Sequence, residues 1–153
     1  MSASCPICAS QLHALEVHPG GEDSIAYECP KCGSFMLSGS LVPSLPSLFS
    51  KDSDAGAKLS HAIRRAQEQS QTPLFTTYTA EAVLKHPLPR PREQADLLLR
   101  WLAKNVPGPG ETVWIEFATH GSIIGSKSPA GFELVLDHLF ATGLVHQHAS
   151  LGT

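Results

Sequence analysis

Cys5-Pro6-Ile7-Cys8 and Cys29-Pro30-Lys31-Cys32 are the residues of this chain best suited to chemistry. Two cysteines three positions apart on a tight turn can both face one cation, with each thiolate sulfur ~2.3 Å from it. Two such turns, brought together by a hairpin, complete a tetrahedron. The spacing therefore predicts a zinc ribbon in which Cys5, Cys8, Cys29 and Cys32 hold one structural Zn2+. All four positions belong to protein thiolates, which leaves none for a catalytic water. Backbone N–H groups inside each knuckle can donate to the sulfurs, and Gly33 gives the second turn the freedom it needs. Cys-Pro-x-Cys also occurs in dithiol oxidoreductases, where it opens a helix after a strand. Neither knuckle has that context, so a redox-active dithiol protein stands as a second alternative. His13 and His18 read as solvated hairpin residues. His61, His86, His120, His138, His146 and His148 are scattered, and His146 and His148 alternate on an expected strand where they could take up adventitious metal.

Other motifs carry less. Gly121-Ser122-Ile123-Ile124-Gly125-Ser126-Lys127-Ser128 imitates a phosphate-binding loop, but Ser126 stands where the glycine before the lysine belongs. Too little chain follows to build a parallel nucleotide-binding sheet, so the run reads as a loop entering a helix. No Ser/His/Asp set or carboxylate pair stands out, and the chain is expected not to be an enzyme. Basic residues gather in the middle. One basic residue faces four acidic ones in 1–50, nine face six in 51–104, and one faces four in 105–153. Lys58, Arg64, Arg65, Arg90 and Arg92 are the weak candidates for nucleic-acid binding, because such charges are more often a solvated helix face.

Composition bounds the class. Hydrophobic content of 42% and charged content of 16% indicate a folded chain, not a disordered one. A net charge of −3 excludes a generic nucleic-acid binder. The first residues lack the basic and apolar regions of a signal peptide, and no apolar run approaches the ~18–20 residues that span a bilayer. A cytoplasmic protein is expected. Reduced cysteines there favour metal binding over disulfides.

The elements that must position the cysteines follow from pattern. Residues 12–17, 24–28 and 35–37 read as three strands, with turn chemistry at 19–23. Residues 38–56 are rich in Ser, Pro and Gly, and Pro43 and Pro46 weaken a helix there. Asp54 can cap a helix over 56–69, whose apolar stripe is Leu59, Ala62, Ile63 and Ala66. Residues 73–78 read as extended, and Thr79 as the cap of a helix over 80–86. Pro87, Pro89 and Pro91 form a stiff linker. Beyond it lie a helix over 92–105, a strand over 112–117 and an ambiguous segment, 118–125. A helix capped by Ser128 with Pro129 at its first position follows, then a stop at Gly143 and a strand over 144–148. The expected fold is α+β: a zinc ribbon at 1–37, a helical extension at 38–86, a linker at 87–91, and a winged-helix-like, mostly α domain at 92–153. The helix after Ser128 contains no Lys or Arg and carries Glu133 and Asp137, which opposes DNA reading through it.

Tyr27-Glu28-Cys29-Pro30-Lys31-Cys32-Gly33-Ser34-Phe35, with Lys58-Leu59-Ser60-His61-Ala62-Ile63-Arg64-Arg65 and Gln94-Ala95-Asp96-Leu97-Leu98-Leu99-Arg100-Trp101-Leu102 downstream, resembles the N-terminal zinc-ribbon and winged-helix-like module of uncharacterised bacterial proteins. In those, the module often precedes a nucleoside deoxyribosyltransferase-like or TIR-like effector domain, some in phage-defence settings. Phe35 stands where they usually have Tyr, and Ala62 where they have Trp. The resemblance implies a sensing or accessory module. The expected function is thus a zinc-binding, non-enzymatic binding or adaptor module whose partner is a protein or a downstream domain. The alternative is a nucleic-acid-binding regulator using the basic 58–100 segment.

Overall fold

A computed structural model describes residues 3–17 and 23–147. The chain forms two compact units, Met1–Leu88 and Pro89–Thr153, which part inside the proline run. Each has its own apolar core.

In the first unit, β1 (Ala14–Val17), β2 (Ser24–Cys29) and β3 (Gly33–Ser38) pair antiparallel as the ribbon pattern predicts. Of the expected turn at 19–23, residues 19–22 lie outside the described residues, as does His18. The sheet has a fourth strand. β4 (Leu74–Phe75) pairs parallel with β3 through Met36–Leu74 and Leu37–Phe75, in the segment read as merely extended. A 3-10 turn, Val42–Ser44, leads into α1 (Leu45–Lys51), followed by α2 (Ala55–Ala66) and α3 (Thr77–Leu84). Pro43 and Pro46 do not break this region. Each sits in the first turn of its helix, where a missing N–H costs nothing. Asp54 is the N-cap residue of α2, and Asp52 Oδ1 accepts from its N–H at 2.9 Å. α3 starts earlier than expected. Thr76, not Thr79, is the cap: extended Thr76 accepts the Thr79 N–H on its hydroxyl at 3.3 Å.

One core joins ribbon and helices. Alternation on β3 buries Phe35 and Leu37, and both pack in the same cluster as Leu59 and Ile63 of α2 and Phe75 of β4. Tyr27 stacks on Phe35 with ring centroids 5.2 Å apart. The described residues of 1–37 and residues 38–86, expected as a ribbon and an appended extension, thus share a common interior. Full burial of each large side chain contributes about 1.5–3 kcal/mol, so the ribbon draws on much more apolar burial than its own length supplies.

The second unit is helical. α4 (Pro91–Asn105) opens with Pro91 at its first position and the Arg90 N–H donating to Glu93 Oε2 at 2.7 Å. α5 (Phe117–Ile124) ends at Gly125, whose φ of 72° places it in the left-handed region. α6 (Pro129–Ala141) is capped by the Ser128 hydroxyl, which accepts the Gly131 N–H at 3.1 Å. Leu98, Leu102, Ile124, Phe132, Leu136 and Leu139 bury against one another. The strands expected over 112–117 and 144–148 do not form among the described residues. Residues 112–116 have no regular structure, Phe117 already belongs to α5, and 144–147 are irregular. Their apolar residues explain the difference: Val113, Ile115 and Val145 pack on the helical core instead of alternating along a paired strand. The helix, short helix, helix order is present, without the strands of a wing among the described residues.

Phe35→Ala removes the largest fully buried side chain at the ribbon–helix junction. It is expected to cost about 3–5 kcal/mol, read by chemical denaturation of the metal-loaded chain. A loss under about 1 kcal/mol would contradict a shared core.

Candidate metal centre

The first knuckle is a turn held by its own backbone. The Cys5 N–H donates to the Ser10 carbonyl at 2.8 Å, and the Ala9 N–H to the Cys5 carbonyl at 2.9 Å. Ala9 has a positive φ of 62°, an uncommon conformation for a residue with a side chain, which the knuckle requires to turn the chain back. A bridge between Ser4 and Gln11 closes the neck. The second knuckle joins β2 to β3. Cys29 is the last residue of β2, the Cys32 N–H donates to Cys29 Sγ at 3.3 Å, and Gly33 (φ 82°) starts β3 in the left-handed region that glycine tolerates.

The two turns bring the four sulfurs to one point. Cys8 Sγ lies 3.4 Å from Cys29 Sγ, and Cys5 Sγ lies 4.0 Å from Cys32 Sγ. All four fall within 4.8 Å of one another. Thiolates ~2.3 Å from a common ion in a tetrahedron stand about 3.8 Å apart, so the set is already near the size of a metal site. Cys5, Cys29 and Cys32 are buried and Cys8 is half-buried. Among the described residues, this is the one group of potential ligands gathered closely enough to share an ion.

Protons and a metal compete for these sulfurs. Hydrogen bonding to Cys29, then to Cys5 and Cys8, together with burial, pushes the Cys32 thiol up. Cys5 is also raised, chiefly by Cys29. Cys8 is pushed down, most strongly by Cys29, and Cys29 is lowered to about 7, most strongly by Cys32. Without a cation the cluster therefore keeps protons on its deeper sulfurs, because adjacent buried thiolates repel. A bound dication must displace those protons, so affinity rises with pH.

α2 supplies the surrounding contacts. Ser60, only 1% exposed, lies with its hydroxyl 3.2 Å from Cys32 Sγ. A thiolate can only accept, so Ser60 donates when the site is deprotonated. Ser10 stands in the same relation to Cys8, at 3.3 Å. One turn on from Ser60, Arg64 donates from Nε to the Lys31 carbonyl at 2.9 Å and from Nη2 to the Pro30 carbonyl at 3.1 Å. Burial lowers the Arg64 pKa, while the charges of Cys32 and Cys29 act in the opposite direction. Gln67 Nε2 then donates to the Cys32 and Ser34 carbonyls at 2.9 and 2.8 Å. Ser60, Arg64 and Gln67 follow the i, i+4, i+7 spacing of one helix stripe. That polar stripe beside the apolar one is the signal by which the sequence could have revealed them.

These contacts revise the basic surface expected for nucleic acid. Arg64 is spent on the second knuckle. Lys58 Nζ binds Asp52 Oδ2 at 2.7 Å and the Leu84 carbonyl at 3.2 Å. Arg65 is exposed and pairs with Glu68 at 3.2 Å. Arg90 and Arg92 are exposed in the other unit. The five residues are thus not gathered on one element, and two of them serve the first unit's own fold. His13 is exposed, as expected. His120 is a structural residue: its Nδ1 accepts the Glu116 N–H at 3.0 Å, and its ring meets Trp101 edge-on at 5.2 Å. His146 is exposed outside any strand, and His148 lies beyond the described residues. The loop-like run from Gly121 to Ser128 is the end of α5, the Gly125 turn and the cap of α6. Ser126 is buried there and donates to the Ser128 carbonyl at 2.9 Å. Among the described residues, no strand leads into it to form a phosphate cradle.

No protein-family model, curated protein or solved structure matches the chain.

Ser60→Ala should weaken metal binding about 10- to 100-fold, measured by competition with a chromogenic chelator. Arg65→Gln, on the exposed side of the same helix, should leave it unchanged. Equal affinity for Ser60→Ala and the parent would remove the role given to the hydroxyl. For the parent, affinity should fall as pH is lowered, since each proton regained by a thiol opposes the ion.

Proposed function

We propose that this chain is a zinc-stabilised, non-enzymatic binding or adaptor module with one structural zinc ion on Cys5, Cys8, Cys29 and Cys32. The observation that carries this reading is the convergence of all four Sγ atoms within 4.8 Å. Four soft thiolates in a tetrahedron favour zinc or an iron–sulfur centre among biological metals. A full set of protein ligands argues for a scaffold, since a catalytic zinc keeps an open position. Convergence of four thiols, instead of an isolated pair, also favours metal over a redox dithiol.

The partner we assign is a protein or a downstream domain. A groove of about 840 Å³ runs between α4 and α6, with Ala95, Leu99, Val135 and Leu139 among its lining residues. Leu134 and Leu144 stand 71% and 64% exposed at its edge, a pattern that supports a contact surface. Exposed Glu133 and Asp137 on α6 oppose phosphate backbones. The three-helix order supports a winged-helix-like reading of 92–153, while the lack of strands there among the described residues argues against a β wing. We retain the bacterial sensing-module reading on the resemblance alone. No described helix is long and apolar enough to cross a membrane, and a thiolate site suits the reducing cytoplasm we assign to it.

Metal analysis with thiol counting on the purified chain tests the proposal. One zinc per chain and four titratable thiols after denaturation are expected. Bound iron, or a metal-free protein with a reversible disulfide, would overturn it. A salt-sensitive shift with duplex or single-stranded nucleic acid, abolished by Arg65→Glu with Arg90→Glu and Arg92→Glu, would favour the regulator in its place.

A further inference from the structure

The face of α2 next to the knuckle stripe has a separate destination. Lys58, His61, Ala62 and Arg65 follow an i, i+3, i+4, i+7 pattern, and all line a pocket of about 340 Å³. The opposite wall is α3, which contributes Thr79, Val83 and, just past its end, His86, again at helical spacing. Buried Phe75 of β4 lines the pocket as well. Both helices and the strand belong to the first unit.

Two properties set the kind of ligand. The first is charge. Lys58 and Arg65 are cations, His61 and His86 add ring nitrogens, and none of the residues lining the pocket is acidic. Each of the two cations has a carboxylate partner that is not among the lining residues. Asp52 holds Lys58, and two of the three ammonium donors go to Asp52 and Leu84. Glu68 meets Arg65 in an exposed i, i+3 pair that contributes little and yields readily to a competing anion. The second property is the apolar interior. Phe75, Ala62 and Val83 offer carbon surface, and the volume sits at the small end of organic-ligand pockets, which span roughly 300–1,000 Å³.

We propose that the α2–α3 pocket binds a small aryl or alkyl anion, with the carboxylate or phosphate head on Arg65 and Lys58 and the apolar body against Phe75, Ala62 and Val83. A purely inorganic anion would leave the apolar walls empty. A neutral hydrocarbon would leave the cations unmatched. The assignment does not depend on the identity of the metal or on the adaptor reading. It gives the helix that braces the metal centre a second load, so an occupant of the pocket would bear on the same element that carries Ser60 and Arg64.

Titration of the metal-loaded full chain with benzoate, phenyl phosphate, benzyl alcohol and inorganic phosphate, followed by backbone amide NMR, tests this. Benzoate or phenyl phosphate should saturate and shift amides of Ala62, Phe75 and Val83, and the tighter of the two identifies the preferred head group. Arg65→Gln, at an exposed position that leaves the core intact, should weaken that binding about 10- to 100-fold. Val83→Trp, which fills the pocket and keeps every cation, should abolish it, with unchanged metal content and amide dispersion showing that the variant is folded. Benzyl alcohol binding as tightly as benzoate would overturn anion recognition. Inorganic phosphate binding as tightly as phenyl phosphate would overturn the role of the apolar walls. Failure of both organic anions to saturate, or binding unaffected by Arg65→Gln, would overturn the site altogether.

Discussion

Four sulfurs, three of them on buried cysteines, cannot all be thiolates within 4.8 Å of one another unless a cation sits among them. The first unit is arranged around that constraint. Cys5 and Cys8 come from a turn before the sheet, and Cys29 and Cys32 from the turn between β2 and β3, so one ion would tie the start of the chain to the sheet centre. A dication with four thiolates leaves a net charge of about −2. Hydroxyl donors from Ser60 and Ser10 face the sulfurs, and the Arg64 guanidinium lies over the second knuckle. The metal centre is therefore inseparable from α2, the helix that also buries Leu59 and Ile63 against β3.

This dual use of α2 explains why the ribbon is not a free-standing finger. A small zinc finger gains most of its folding free energy from the ion. Here the sheet also buries Phe35 and Leu37 in one cluster with Leu59 and Ile63 of α2 and gains β4 at its edge. An ion held there would support the same contacts as the core, with Ser60 beside Cys32 and Ile63, three residues on, in the core.

Local rules were sufficient where a residue's role depends on its neighbours in sequence. The two Cys-Pro-x-Cys turns, the left-handed glycine after the second, the Ser128-Pro129 helix start and the stripe of α2 were all readable in that way. Roles set by distant chain segments were not. β4 is only two residues long and pairs with a strand almost forty positions earlier, so no periodicity announces it. Val113 and Ile115 have strand-like character, but they pack on helices, because no strand is described beside them. Lys58 and Arg64 look like a solvated basic face until Asp52, Leu84, Pro30 and Lys31 are placed against them. Among the site residues, the grouping of the four cysteines was legible. Ser60, Arg64 and Gln67 were hidden, since their partners lie some thirty residues upstream.

Metal and α2 are expected to hold the first unit together as one body. Amide hydrogen exchange before and after chelation tests it most directly. Removal of the ion should strip protection from β2, β3 and α2 together while α4, α5 and α6, which have their own core, keep theirs. Unchanged protection in β2, β3 and α2 after complete metal removal would contradict the account.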